Sequence, residues 1–178
     1  MLAGDTGCGK STLVPQFMLS EYGRVACTQP RRLAAVSLAR RVSIEGNGEH
    51  GVGHQIRFES RAAPTDRIVF MTEGVMLRHI AGGAKGLDDF DVIVLDEVHE
   101  RHTSTDVLLG TMRGLLARRP ALRLVLMSAT LHLELFSGSR QIAYGTGTTD
   151  KDGLCRRLLA DASISEEALA GKGKDSYA

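Results

Sequence analysis

Along the first three quarters of the chain, short apolar runs alternate with stretches whose apolar positions recur at helical spacing. The apolar runs predict strands at residues 2–3, 25–28, 68–71, 92–95 and 124–127, and an alternation of apolar and polar residues predicts a half-exposed strand at 52–59. The stretches between them predict helices at residues 10–21, 30–42, 73–80 and 105–117. Thr103 or Ser104 is the predicted cap of the last helix. Strands that alternate with helices in this way indicate an α/β fold with a mostly parallel sheet.

Small or polar residues stand at the ends of five of these runs, at Gly4, Thr28, Thr72, Asp96 and Ser128. The carboxyl ends of parallel strands share one edge of a sheet, and α/β proteins bind their ligands there. The sequence therefore predicts one ligand-binding edge that brings these five positions together.

Residues 4–11 read Gly-Asp-Thr-Gly-Cys-Gly-Lys-Ser and fit the P-loop pattern G-x-x-x-x-G-K-[ST]. Glycines let the backbone curl around a phosphate, and the N-terminus of the following helix favours an anion at the same place. Lys10 can reach the β- and γ-phosphates, and the Ser11 hydroxyl can bind Mg²⁺. Taken alone, the pattern is also compatible with an ordinary turn between a strand and a helix.

Asp96 and Glu97 follow directly after the apolar run at 92–95. A continuous apolar run of this length is typical of a parallel strand that is buried on both faces. Carboxylates at the end of a buried strand are costly unless they meet a cation or hydrogen-bond donors. P-loop NTPases place a metal-binding acid there, and this second motif makes a simple turn a poor explanation of the first.

Composition adds limits rather than a function. The 178 residues are 43% hydrophobic and 24% charged, which is typical of a globular domain. The net charge is +1, so any contact with nucleic acid must come from local arginines. The three cysteines are far apart, and no secretory signal or membrane-length apolar run is present. We therefore expect an intracellular protein, nuclear or cytoplasmic, that does not contact membranes.

Several separate blocks together resemble the DEAH-box ATP-dependent RNA helicases. The blocks are Gly4–Thr12 (motif I), Thr28–Ala35 (motif Ia), Thr72–Arg78 (motif Ib), Asp96–His102 (a DEVH form of motif II) and Ser128–Thr130 (motif III). Val52–Phe58 also resembles a strand of this family, with His54 in place of an aromatic residue. The resemblance covers residues 1–136 and implies a RecA-like P-loop NTPase, a three-layer sandwich, as the first of two motor lobes. That lobe is expected to be clipped at its N-terminus, because Met1 falls inside the first strand.

The resemblance implies roles for individual residues, with ATP and Mg²⁺ as cofactors. The ATP-binding set consists of Gly4, Asp5, Thr6, Gly7, Cys8, Gly9, Lys10, Ser11 and Thr12. The metal set is Ser11, Asp96 and Glu97, with either acid as the anchor. The catalytic set is Glu97, which orients or deprotonates water, with Asp96 and His99. Ser128 and Thr130 would relay the nucleotide state, and His99 would couple the nucleotide site to them.

RNA is the partner that the resemblance implies, through backbone contacts at Arg31, Arg32 and Thr72. No aromatic residue stands out as a surface on which bases could stack. A second RecA-like lobe, with its arginine fingers, is the other expected partner. Whether this chain alone is an enzyme stays open, because it would hydrolyse little ATP without that lobe.

Two other functions stay open. One is a truncated, non-catalytic module that binds nucleotide or RNA, and the other is a different P-loop enzyme such as a small kinase. Zinc is not expected at His99 and His102, because their spacing is one residue short of H-E-x-x-H. Residues 137–178 are rich in Gly, Ser and Thr and show no strand signal, so we expect a mobile tail there.

Overall fold

The fold is built around one mixed β-sheet. The computed structural model describes residues 2–3, 7–82, 86–129 and 143–144. Its strands are β1 (Leu2–Ala3), β2 (Val25–Gln29), β3 (Val52–Ile56), β4 (Glu59–Arg61), β5 (Ile68–Thr72), β6 (Val92–Leu95), β7 (Arg123–Ser128) and β8 (Ala143–Tyr144). Their order is β4-β3-β5-β2-β6-β7-β1-β8. Among these described strands the β3–β4 pair is antiparallel and the other neighbours are parallel.

Helices cover both faces of this sheet. They are α1 (Lys10–Met18), α2 (Arg32–Glu45), α3 (Glu73–Ala81) and α4 (Thr103–Arg118), with a 3-10 turn at Val98–Glu100. Successive residues of a buried strand point to opposite faces. In β6, Val92 and Val94 pack in the core that includes α1 and α2, whereas Ile93 and Leu95 pack with α3 and α4. The predicted three-layer α/β sandwich is therefore confirmed.

Two predicted helix starts are wrong. Proline at position 30 was expected to open the second helix, but α2 begins at Arg32. The first turn of α4 begins at Thr103, after His102, and no side chain caps it. The hydroxyls of Ser104 and Thr105 instead donate hydrogen bonds to the buried carboxylate of Glu73. A buried carboxylate needs hydrogen-bond donors, so Glu73 engages the hydroxyl of Ser104, which was one of the two predicted caps.

The strand predicted at 52–59 is interrupted. It ends at Ile56, and a two-residue turn at Arg57 and Phe58 leads into the antiparallel strand β4. Strand β8, at 143–144, pairs with β1 inside the segment where no strand was expected. Two residues are too few to show an alternating pattern. The rest of the segment 137–178 lies outside the described residues, so the division at residue 136 stays a prediction.

Gly53 in β3 has no space for a side chain. A β-carbon at this position would lie 2.5 Å from the Ala62 Cα and would also meet the Asp66 carboxylate. We expect Gly53→Ala to lower the free energy of unfolding by about 1–3 kcal/mol, the usual cost of overpacking. Urea denaturation followed by circular dichroism measures this loss.

Gly110→Ala is the matched control, because a β-carbon there meets no atom within 4 Å and α4 gains a better helix former. This variant should unfold at the same or a higher urea concentration than the wild type. Equal midpoints for Gly53→Ala and the wild type would contradict the described packing of β3 against Ala62.

Candidate active site

The strand ends that the sequence predicts on one edge of the sheet do lie together there. The neighbouring parallel strands β5, β2, β6, β7 and β1 all end on it. Gln29 lies opposite Thr72 and Ala3 lies opposite Ser128, while Asp96 follows the end of β6. Gly4, the remaining predicted member, lies outside the described residues. The chain thus brings four of its five predicted edge positions together.

The second half of the glycine-rich loop has the backbone that the sequence predicts. Gly7 and Gly9 have φ angles of 86° and 87°, which favour glycine. Gly9 directly precedes α1, and its carbonyl accepts hydrogen bonds from the backbone N–H groups of Thr12 and Leu13. The N-terminus of α1 therefore faces this loop, as a phosphate site requires. Asp5 and Thr6 lie, with Gly4, outside the described residues.

Lys10 is held inside this site rather than extended into solvent. Its side chain is buried, and its Nζ donates to the Cys8 Sγ at 3.4 Å. The positive charge of Lys10 is also close enough to act on the pKa of Glu97. A buried ammonium between the loop and the acids is well placed to meet a polyphosphate.

Asp96 is the centre of the hydrogen-bond network at this edge. Its side chain is buried, and its Oδ2 accepts hydrogen bonds from the Ser11 Oγ at 2.5 Å and the Gln29 Nε2 at 2.7 Å. Its Oδ1 accepts from the Glu97 backbone N–H at 2.8 Å. These donors stabilise a carboxylate that burial would otherwise disfavour. Sequence reasoning gave Gln29 no role, although it lies in the motif Ia block at the end of a predicted strand.

The oxygens of Ser11 and Asp96 fit a magnesium ion. Mg²⁺ prefers oxygen ligands, and proteins usually bind it through one or two carboxylates together with substrate phosphates. Among the described residues, no group of three or more His, Cys, Asp and Glu could hold a metal ion. Nucleotide phosphates and water are the usual further ligands of Mg²⁺ bound through one or two carboxylates.

Glu97 combines an unusual backbone with a perturbed carboxyl group. Its φ of 54° and ψ of 35° lie in the left-handed region, which a non-glycine residue rarely adopts. Burial raises the pKa of Glu97, the Asp96 carboxylate adds to this, and His99 and Lys10 oppose it. A raised pKa makes this carboxylate a stronger base. Backbone strain of this kind is often found at functional sites.

His99 lies between Glu97 and the end of β7. Its Nδ1 is 3.3 Å from the Glu97 Oε2 and also accepts a hydrogen bond from the Ala129 backbone N–H at 3.3 Å. One ring nitrogen cannot donate to the carboxylate and accept from the amide at once, so each tautomer of His99 favours one of the two partners. Ser128 is buried beside this contact. Thr130 lies outside the described residues.

The three predicted RNA-contact residues differ in exposure. Arg31 is exposed and forms an ion pair with Glu100, between the Nη2 and the Oε1 at 2.9 Å. The Arg32 Nη2 donates to the Arg57 carbonyl at 3.4 Å. Thr72 is only 9% exposed, so it offers little surface to a ligand. The two arginines, rather than Thr72, are the accessible members of this set.

The structure exposes an aromatic residue that sequence reasoning missed. Phe58 is 88% exposed in the β3–β4 turn with φ at 68°, and the Arg57 guanidinium lies 4.7 Å from its ring centroid. The alternating pattern had placed Phe58 on the same face as the buried Ile56. It turns outward because the strand ends at Ile56. An exposed ring beside arginines is a surface on which a base could stack.

Comparisons with known proteins find similarity to helicases. The family model described as DEAD/DEAH box helicase matches residues 1–136. The chain is 51% identical over 140 residues to the human probable ATP-dependent RNA helicase DHX34. It is 44% identical over 147 residues to the DExH-box ATP-dependent RNA helicase DExH1 of Arabidopsis thaliana. It is 41% identical over 159 residues to the probable ATP-dependent RNA helicase DHX35 homolog of Caenorhabditis elegans.

These matches cover most of this chain but little of the relatives. The three alignments span 77%, 77% and 85% of the chain, and 12%, 15% and 21% of the respective relatives. The chain thus spans less than a quarter of the length of these curated relatives. Within its described residues, no helix is long and apolar enough to cross a membrane.

Proposed function

The chain belongs to the DEAD/DEAH box helicase family, and on that premise we propose that it is the ATP-binding first motor lobe of an ATP-dependent RNA helicase. One observation carries this proposal. Ser11 and Asp96 are 85 residues apart in the chain, yet their side chains share a hydrogen bond beside the buried Lys10. A hydroxyl, a carboxylate and an ammonium gathered at a helix N-terminus suit Mg·ATP.

Four residues of this site have a proposed role in ATP hydrolysis. Lys10 neutralises phosphate charge, while Ser11 and Asp96 would hold Mg²⁺ together with the nucleotide phosphates. Bound Mg²⁺ supplies neutralisation of the charge that develops on the transferred phosphoryl group. Glu97 orients the attacking water and accepts its proton, a role that its raised pKa supports.

His99 is proposed to couple this site to motif III. Its Nδ1 contacts both Glu97 and the Ala129 N–H, so a change at the carboxylate reaches the end of β7 through one ring. Ser128 and Thr130, on either side of Ala129, are the proposed hydroxyl partners in this relay.

RNA is the proposed polymer substrate, in contact with Arg31, Arg32 and the β3–β4 turn. Arg32 bonds the backbone of Arg57, so motif Ia and the turn form one surface. The ion pair between Arg31 and Glu100 is exposed on the arginine side, and such pairs hold their partners weakly. The guanidinium can therefore exchange this carboxylate for an RNA phosphate. Thr72 stays a predicted member that the geometry supports less.

Phe58→Ala is expected to weaken binding of a short labelled oligouridylate by roughly 5- to 150-fold, because stacking contributes about 1–3 kcal/mol per base. Arg57→Ala should weaken binding as well and should also lower the salt dependence by about 0.7 per lost phosphate contact. Phe58→Ala should leave that salt dependence unchanged. Fluorescence anisotropy at several salt concentrations measures both quantities.

Ile44→Ala and Arg118→Ala are the matched controls, because both residues are exposed away from the turn. Each should bind the oligouridylate within about twofold of the wild type, well below the stacking effect. If the Phe58 and Arg57 variants bind as well as these controls, the turn does not contact RNA.

A further inference from the structure

Gln29 is a buried polar residue that the proposed mechanism does not yet use. It is the last residue of β2 and is only 3% exposed. Its side-chain Nε2 donates to the Asp96 Oδ2 at 2.7 Å across the adjacent strand ends. A buried amide pointed at a buried carboxylate fixes the direction of that carboxylate.

The two hydrogen bonds on this oxygen come from donors with different roles at a metal site. The Ser11 hydroxyl would bind Mg²⁺ through a lone pair, so its position would change with the ion even though its O–H could still donate to Asp96. The Gln29 amide N–H can only donate, and the carboxylate oxygen has further acceptor capacity, so this hydrogen bond can persist when the ion binds. Gln29 is thus a side chain that can hold Asp96 in one orientation before and after the ion binds, without being a metal ligand.

We propose that Gln29 is a positioning residue that sets the Asp96 carboxylate for Mg²⁺, an inference that rests on the proposed nucleotide-binding function. Partners that orient a metal-binding carboxylate usually contribute 10- to 100-fold to metal affinity or activity. Gln29 acts through Asp96 and does not itself bind the metal or the nucleotide. Loss of the Gln29 amide should therefore weaken Mg²⁺ binding and leave nucleotide binding without Mg²⁺ unchanged.

The test is a magnesium titration of Gln29→Met, which keeps the side-chain length but cannot donate. Labelled ADP is mixed with the wild type or the variant, and Mg²⁺ is added from zero. We expect the Mg²⁺ concentration that gives the half-maximal increase in ADP binding to rise about 10- to 100-fold in the variant. The ADP affinity measured in excess EDTA should change by less than about twofold, since a positioning role affects only the metal. If Gln29 had only a structural role, Gln29→Met would weaken ADP binding in EDTA as much as it weakens the response to Mg²⁺.

Gln55→Met is the matched control. Gln55 lies in β3, which is separated from β2 by β5, and its Oε1 pairs with the His79 Nε2 at 2.7 Å. This variant also removes a side-chain amide from the same sheet, but its Mg²⁺ titration should match that of the wild type. Gln29→Asn, whose amide is too short to reach Asp96, should reproduce Gln29→Met.

The results separate this inference from the proposed function. If wild-type protein shows no magnesium-dependent ADP binding, the proposed function fails. If wild type and Gln29→Met share one Mg²⁺ midpoint, the inference about Gln29 is overturned while the proposed function stands. Should both variants fail to fold, the side-chain amide NMR signal of Gln29 in the wild type decides. It should shift when Mg²⁺ is added to the ADP complex, and an unchanged signal would overturn the inference.

Discussion

Mixing this chain with the second motor lobe of a two-lobed relative is expected to raise its ATP hydrolysis rate by about 10³–10⁵-fold, the contribution of an arginine finger in comparable NTPases. The chain brings Lys10, Ser11, Asp96 and Glu97 to one edge of its sheet. The resemblance to DEAH-box helicases implies that ATP lies between two lobes and that the second supplies the arginines. Phosphate release, with and without single-stranded RNA, measures the rate.

Glu97→Gln should abolish this increase, because an amide cannot accept the proton of the attacking water. Its ADP affinity should stay near that of the wild type. Glu45→Gln is the matched control, since Glu45 pairs with Arg41 on the surface of α2 and should leave the increase intact.

Two other results would contradict the proposal. Robust RNA-stimulated hydrolysis by the chain alone would show that it needs no second lobe. Normal nucleotide binding with no increase from any second lobe would instead favour the non-catalytic binding module.

Lys10→Ala is expected to weaken Mg·ADP binding by about 10- to 150-fold, because hydrogen bonds to charged groups contribute about 1.5–3 kcal/mol. Lys10 is the buried cation at the start of α1, between the glycine-rich loop and the acids. Titration of a labelled nucleotide, with unlabelled ADP as competitor, measures the affinity.

Lys10→Met distinguishes lost charge from lost packing, since it keeps a side chain of similar length. It should bind ADP as weakly as Lys10→Ala does. Arg41→Ala, which removes an exposed cation from α2, is the control and should bind normally. Equal binding by the wild type and both Lys10 variants would end the P-loop assignment.

The sequence predicted the order and type of the large elements because the central strands are continuous apolar runs. A continuous apolar run indicates a strand buried on both faces, and β2, β5 and β6 are buried along their whole length. The element ends were less predictable, since they depend on distant partners. The buried carboxylate of Glu73, which takes the hydroxyls at the start of α4, has no local signal.

The same contrast holds within the candidate site. Lys10, Ser11 and Asp96 were predicted because their types and spacing belong to known motifs. Gln29 and Phe58 were not predicted to act, since one depends on a contact across strands and the other on a turn that ends β3. The left-handed backbone of Glu97 likewise depends on the 3-10 turn that follows it.

The left-handed backbone at Glu97 creates a conflict between the stability of the fold and the proposed role of the Glu97 carboxylate. A residue with a β-carbon costs about 1–2 kcal/mol in the left-handed region, and glycine avoids most of this cost. Glycine at position 97 would relieve the strain but would remove the carboxylate proposed to act on water. Selection for thermal stability alone would therefore favour glycine at position 97, and the proposed hydrolytic role of the carboxylate would be lost. A search for stabilised variants of this lobe should therefore keep Glu97 unchanged.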